Sequence, residues 1–393
     1  SEAEPLYYKS LNIYRTLLPD HHPFTLTSYN NVALNLHAQG RFAEAEPLFA
    51  KVLEARKRYL HEEHPETATS YNNVALNLHA LGKVSNAELF YTKALGIRRR
   101  ILGENHPDTA QSYNNLAASL SDQGRFGMSE KLHKQALALY RRVFGENHPE
   151  TAKSYNNAAS NLSAQGRYIE AERLYSKALN IRRYVLGERH PNTAISYNNV
   201  AHNLYNQNKI AEAVPMFEKA LATMAKAVGP QHPHTQLLAA NTVFVLTQLE
   251  RFEAADAIIL RYFGQDSPQR ASGLAARAFP LYEAGDFDAA ATLWLEAIRI
   301  GTTARPQDDT DLAIWRQNLA KLRYKQGDYA AAEALYRQAW IVLSTLPDDQ
   351  QGRTPANFAR LLRDAPPSPE RKATLAELQA RFGEGVGTSD YQP

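Results

Sequence analysis

The tetrapeptide Ser28-Tyr29-Asn30-Asn31 reads SYNN, and it returns as Ser70-Tyr71-Asn72-Asn73, Ser112-Tyr113-Asn114-Asn115, Ser154-Tyr155-Asn156-Asn157 and Ser196-Tyr197-Asn198-Asn199, each copy 42 residues from the last. Asparagine is a mediocre helix former, because its amide competes with the backbone for hydrogen bonds. Here pairs of it recur inside stretches whose apolar residues follow helical spacing. A fixed period of this length marks a repeat architecture, so one array replaces the two or three domains that 393 residues would otherwise suggest.

Outward from SYNN, residues 23–64 show the whole unit: PFTLTSYNNVALNLHAQG, then RFAEAEPLFAKVLEARKRYL, then HEEH. Tyr29, Val32, Ala33 and Leu36 fall at i, i+3, i+4 and i+7, as do Ala45, Leu48, Phe49, Val52 and Leu53 further on. The spacing predicts two amphipathic helices, A and B, neither of which can bury its stripe alone. Gly40, Gly82, Gly124 and Gly166 stand where helix A must stop in a left-handed cap, and Asn208 takes that place in the fifth unit. Each unit opens on a His-Pro pair: His22-Pro23, His64-Pro65, His106-Pro107, His148-Pro149, His190-Pro191 and His232-Pro233. Proline fits the first turn of a helix, where its missing N–H is not needed. Six of the thirteen histidines are thereby placed in loops. With helix pairs about 8–10 Å apart, they stand too far from one another to share a metal.

Residues 1–22 read as helix B of a unit that lacks its helix A, since Glu2-Ala3-Glu4-Pro5-Leu6-Tyr7 matches Glu44-Ala45-Glu46-Pro47-Leu48-Phe49. An excised piece of a longer polypeptide is the expectation this raises. Residues 23–232 hold five regular units, and 233–345 hold degenerate ones, with Gly285-Asp286-Phe287 and Gly327-Asp328-Tyr329 restarting the turn. Stretches 264–272 and 301–310 read as loops or kinks. Residues 346–393 read as capping helices, one of them around 370–381, and a Gly-rich tail.

Zero cysteines exclude disulfides and thiolate chemistry within this chain, and 44 Lys and Arg against 41 Asp and Glu make no polycation. Nucleic acid is not demanded by that charge. No stretch resembles a secretory signal or a run long and apolar enough to span a bilayer. The reducing cytoplasm is the default. No G-x-S-x-G, phosphate-cradling loop or H-E-x-x-H appears, so neither catalysis nor a bound cofactor or metal is expected.

The core positions, small at Ala33, large at Leu36, small at Ala45 and aromatic at Phe49, resemble the tetratricopeptide pattern. The run LGENHPDTAQSYNNLAASLSDQGRF (102–126) resembles the 42-residue repeats of kinesin light chains and their bacterial relatives. That resemblance implies an all-α, right-handed superhelical solenoid of tetratricopeptide helix-turn-helix repeats, with helices A lining a concave channel that binds peptides or partner proteins. It also implies a protein-binding scaffold, and the missing first helix A favours a recognition or regulatory arm of a larger signalling protein or complex. Relatives of this type are often fused to a caspase-like protease or a signalling ATPase. Neither domain is visible here. An RNA reader using one polar residue per repeat is the remaining alternative.

With the stripe from Tyr29 to Leu36 facing helix B, the opposite face carries Asn30, Asn31, Leu34 and His37. Asn31, Asn73, Asn115, Asn157 and Asn199 then form a ladder with one rung per repeat, flanked by Asn30, Asn72, Asn114, Asn156 and Asn198. The resemblance carries onto the second asparagines the role of gripping a bound peptide backbone. An amide supplies both donor and acceptor for that purpose. The competing reading has these amides bond neighbouring helices and fix the twist. Specificity falls to positions that vary: Leu34 and Leu76 at an apolar end, His37 and His79 further along each helix, and Lys153 in the fourth unit. The basic runs Arg56-Lys57-Arg58, Arg98-Arg99-Arg100, Arg141-Arg142 and Arg182-Arg183 close each helix B and read as solvated surface, paired with loop glutamates Glu62, Glu104, Glu146 and Glu188.

Overall fold

The computed structural model describes residues 3–306, 308–347, 350–351 and 353–387, and the end of the Gly-rich tail lies outside them. Among the described residues the chain is helical throughout, with no strand. It divides into two compact units, Ser1–Ala227 and Val228–Pro393.

The first unit opens with α1 (Ala3–Leu17) and continues as A/B pairs. They are α2 (Pro23–Ala38) with α3 (Phe42–Leu60), α4 (Pro65–Ala80) with α5 (Val84–Leu102), and α6 (Pro107–Asp122) with α7 (Phe126–Phe144). Then follow α8 (Pro149–Ala164) with α9 (Tyr168–Leu186), and α10 (Pro191–Asn206) with α11 (Ile210–Val228). From α1 to α10 each helix packs on the next in sequence, and the A helices α4, α6 and α8 also touch in succession. This is the solenoid arrangement, each repeat covering its neighbour's stripe. In the first pair Tyr29, Val32, Ala33 and Leu36 close against Ala45, Phe49 and Val52. Burying side chains such as Leu36 and Phe49, each 1% exposed, contributes about 1.5–3 kcal/mol apiece.

Helix boundaries have local causes. The His Nδ1 of each His-Pro pair accepts from the backbone N–H two residues on, Glu66 N–H to His64 Nδ1 at 3.1 Å for example, giving one of the helix's orphan donors a partner. At the far end Gly40 adopts φ 77°, and the Arg41 amide folds back to the Leu36 carbonyl at 3.0 Å. Asn208 does the same at φ 61°.

The second unit comprises α12 (Pro233–Gln248), α13 (Phe252–Tyr262), α14 (Pro268–Glu283), α15 (Phe287–Ala304), α16 (Thr310–Lys325), α17 (Tyr329–Leu343), α18 (Thr354–Asp364) and α19 (Pro369–Phe382). Helix α13 has 11 residues where α3 has 19. Two of the expected loops are shorter than their sequence suggests. Residues 268–272 are already helical, because Ser267 caps α14 by accepting from the Arg270 N–H at 3.2 Å and Pro268 follows at the first helical position. Residues 301–304 still belong to α15, and Gly301 is there for close packing, since a Cβ would meet Leu312 and Trp315 at 3.0 Å. Tyr336, Phe358, Leu361, Leu362 and Leu378 form the core beneath α17, α18 and α19.

Candidate functional site

In most repeats the letters of SYNN have partners in a neighbouring element. The serine meets a buried arginine from the preceding helix B: Arg56 donates to Ser70 Oγ at 3.0 Å, Arg98 to Ser112 at 2.9 Å and Arg182 to Ser196 at 2.8 Å. Each of these guanidinium groups also donates to a backbone carbonyl of helix A's first turn, those of Glu66, Asp108 and Asn192. Arg56, Arg98 and Arg182 are 5%, 3% and 8% exposed, and burial lowers the pKa of each. The basic runs are therefore split, which corrects the reading of a wholly solvated stripe. Arg99, Arg141 and Arg183 are the surface members and pair with Glu104, Glu146 and Glu188.

The loop glutamates, Glu62 among them, also receive the tyrosine hydroxyls. Tyr113 donates to Glu104 at 3.0 Å, Tyr155 to Glu146 at 2.7 Å, Tyr197 to Glu188 at 2.8 Å, and Tyr71 to Glu62. Partial burial by itself raises the Glu146 pKa, but donation from Lys177, Tyr155 and Arg141 overcomes this and holds the carboxyl at about 2.

The two asparagines link repeats. Asn73 Nδ2 donates to Asn30 Oδ1 at 2.9 Å, Asn115 to Asn72 at 2.8 Å and Asn199 to Asn156 at 2.6 Å. The second amide of one helix A thus bonds the first amide of the helix A before it. Asn72, Asn73 and Asn114 are buried, so their amides are joints between helices and not groups facing open water, as the ligand-gripping ladder requires of the free protein. Asn31 and Asn198 are half-buried on α2 and α10.

A third asparagine in α4, α8 and α10, not singled out from the sequence, adds to these joints. Asn77 donates to the Phe42 carbonyl at 3.0 Å, Asn161 to Phe126 at 3.5 Å and Asn203 to Tyr168 at 3.0 Å. Its signal was present: Asn35, Asn77, Asn161 and Asn203 share the 42-residue register.

Repeat three breaks the pattern. Where other B helices carry Phe49, Tyr91, Tyr175 and Phe217, α7 carries His133, and Tyr140 stands in the buried-arginine position. His133 is 2% exposed, its Nδ1 lies 3.0 Å from Asn114 Oδ1, and burial lowers its pKa to about 4, so the ring is neutral. The Asn114 carbonyl is thereby taken by helix B, and its Nδ2 lies 3.4 Å from Ser154 Oγ. The rung that would join Asn114 to Asn157 is missing. Among the described residues, Asn157 is half-buried with no side-chain hydrogen bond.

The remaining candidates divide. Leu34 is 37% exposed, Leu76 is half-buried, and Lys153 is exposed beside Glu150 at 3.7 Å. His37 is drawn to Asn77 Oδ1 at 3.1 Å and packs on Phe42, and His79 Nε2 lies 2.8 Å from Asp122. Both histidines thus reach the next repeat. No group of three His, Asp or Glu that could hold a metal occurs among the described residues, and no described helix is long and apolar enough to cross a membrane.

Tetratricopeptide repeat models and several solved structures resemble the chain. The tetratricopeptide repeat model matches residues 1–58, 24–100, 66–141, 108–183 and 150–226, and a second model of the same description matches 312–343. No curated protein matches the chain. Among solved structures, the kinesin light chain TPR-like repeats of Podosopora anserina are 25% identical, covering 53% of this chain and 98% of that one at a TM-score of 0.45. BtubC (BKLC) from P. vanneervenii is 22% identical, covering 59% and 93% at 0.49, and pilF of Pseudomonas aeruginosa is 18% identical, covering 61% and 91% at 0.39. With the repeat model running unbroken over the five regular units, the chain belongs to the tetratricopeptide repeat family, a scaffold for protein interaction.

Proposed function

We propose that this scaffold takes an extended protein segment along its A helices, with Asn157 and Lys153 of α8 as the polar contact and Leu34 and Leu76 as the apolar one. The observation that carries the reading is the interrupted rung. Asn73, Asn115 and Asn199 each donate to another asparagine, whereas among the described residues the Asn157 amide has no side-chain partner. Lys153 lies one turn before it on the same helix, where residues four apart share a face. An amide flanked by a cation suits a peptide backbone followed by an acidic side chain. Asn31, also without a side-chain partner among the described residues, is the second free amide of the ladder. The reading carries with it a role as the recognition or regulatory arm of a larger signalling assembly, since a scaffold acts only through what it joins.

The test is a segment selected for binding from a random peptide library. Asn157→Ala is expected to weaken it two- to tenfold, as losing one hydrogen bond of about 0.5–1.5 kcal/mol implies, and Lys153→Glu to weaken it at least as much. Unchanged affinity in both variants sinks the assignment.

A further inference from the structure

The second unit contains an open hollow of about 320 Å³ between α12 and α14. It lies where the repeat pattern calls for an amide rung. Ala240 stands five periods after Asn30, and Ala276 stands eight residues after Pro268, as Asn31 stands eight after Pro23. The pair equivalent to the hydrogen-bonded Asn30 and Asn73 is therefore Ala240 and Ala276, and both line the cavity together with Val243, Phe244 and Gly273. Two amides have become two methyl groups, leaving an apolar hollow. The B helix between them is the short α13, and Phe263, the residue after it, also lines the space.

Among the described residues one charged side chain lines the hollow, and its charge is already matched. Arg305 Nη1 lies 3.0 Å from Asp309 and 3.0 Å from Asp311, Nη2 donates to Ser272 Oγ at 2.7 Å, and the guanidinium lies over the Trp315 ring at 5.0 Å. Its Nε is buried and has no acceptor. Gln248 and Gln269 add amides at the rim.

We propose that this hollow is a binding site for a small, uncharged, ring-sized molecule carrying a single hydrogen-bond acceptor. The size is sufficient, since small-molecule sites begin at about 300 Å³. The lining selects against ions. An anion entering beside Arg305 meets a guanidinium already neutralised by two carboxylates and loses its water for apolar walls. A carbonyl acceptor serves the polar end. The proposal is independent of the protein-segment reading, which rests on the first unit.

The probe is coumarin, a neutral bicyclic ring with one carbonyl, titrated into the full chain by calorimetry and followed by saturation-transfer NMR. One saturable site is expected, with coumarin-3-carboxylate at least tenfold weaker. The double variant Ala240→Asn/Ala276→Asn rebuilds the amide pair, and Ala276→Phe fills the space by bulk alone. Each is expected to reduce coumarin binding at least tenfold, so a folding failure in one leaves the other decisive. Absence of saturable binding to the native chain overturns the site, as does equal binding to the native chain and a folded variant. A carboxylate that binds as tightly as coumarin overturns the ligand class.

Discussion

An asparagine inside a helix sacrifices propensity, and at Asn73 that sacrifice is offset by the bond to Asn30 across the repeat boundary. Asn73→Ala removes that bond and strands a carbonyl, so a loss of about 1–2 kcal/mol in denaturant unfolding is expected. Asn157→Ala, which removes no bond, is expected to change stability by less than about 0.5 kcal/mol. His133 gives a second, pH-dependent prediction. Its pKa is about 4 in the folded chain against 6.5 for the free side chain, so between those values the unfolded chain binds the proton and the folded chain does not. Its contribution is complete above pH 6.5 and is lost as the pH falls toward 4, at up to about 1.4 kcal/mol per unit. The difference in unfolding free energy between the native chain and His133→Tyr, measured at pH 7 and pH 5, is expected to shift in the variant's favour at the lower pH. Much of this was legible in the sequence, because position 133 departs from an aromatic register that four other repeats keep. What no pattern displayed was direction: the same SYNN letters fit amides turned outward to a ligand or sideways to a neighbour, and only the helix spacing decides.

At the scale of the element, the A helices α2, α4, α6, α8, α10 and α12 are each started by an imidazole. His148→Ala is expected to cost about 1 kcal/mol, while His148→Asp retains an acceptor for the Glu150 N–H and adds favourable charge at the helix start. Paired thermal melts separate the two. The B helices show where charge misled the reading. Ala87, Tyr91, Ala94 and Arg98 follow one stripe at i, i+4, i+7 and i+11, so periodicity alone points Arg98 inward. Its charge argued the other way, and three hydrogen-bond acceptors on helix A reconcile the two. Arg182→Ala is accordingly expected to destabilise by about 2 kcal/mol or more through lost packing and unpaired acceptors, against less than about 1 kcal/mol for the exposed Arg183→Ala. Equal effects would show that burial is not what separates the neighbours.

For the molecule as a whole, the division at residues 227 and 228 predicts unfolding that is not a single two-state transition. Hydrogen exchange is expected to be faster in α12 to α14, where alanines replace the amide rung, than in α4 to α6. The joints between repeats have a further consequence for how the chain assembles. They link residues 35, 37, 40 or 43 positions apart, as in Asn77 with Phe42, Arg125 with Glu88, Asn114 with Ser154, and Asn73 with Asn30. Each therefore closes a loop of nearly constant size, and for a flexible chain the loop-closure entropy follows that size. Lengthening the array adds joints without adding longer ones, so relative contact order falls as repeats accumulate and folding need not slow with chain length. Duplicating residues 66–107 supplies the new asparagine joints with partners in register, whereas adding one residue more or less turns the next helix about 100° and misaligns them all.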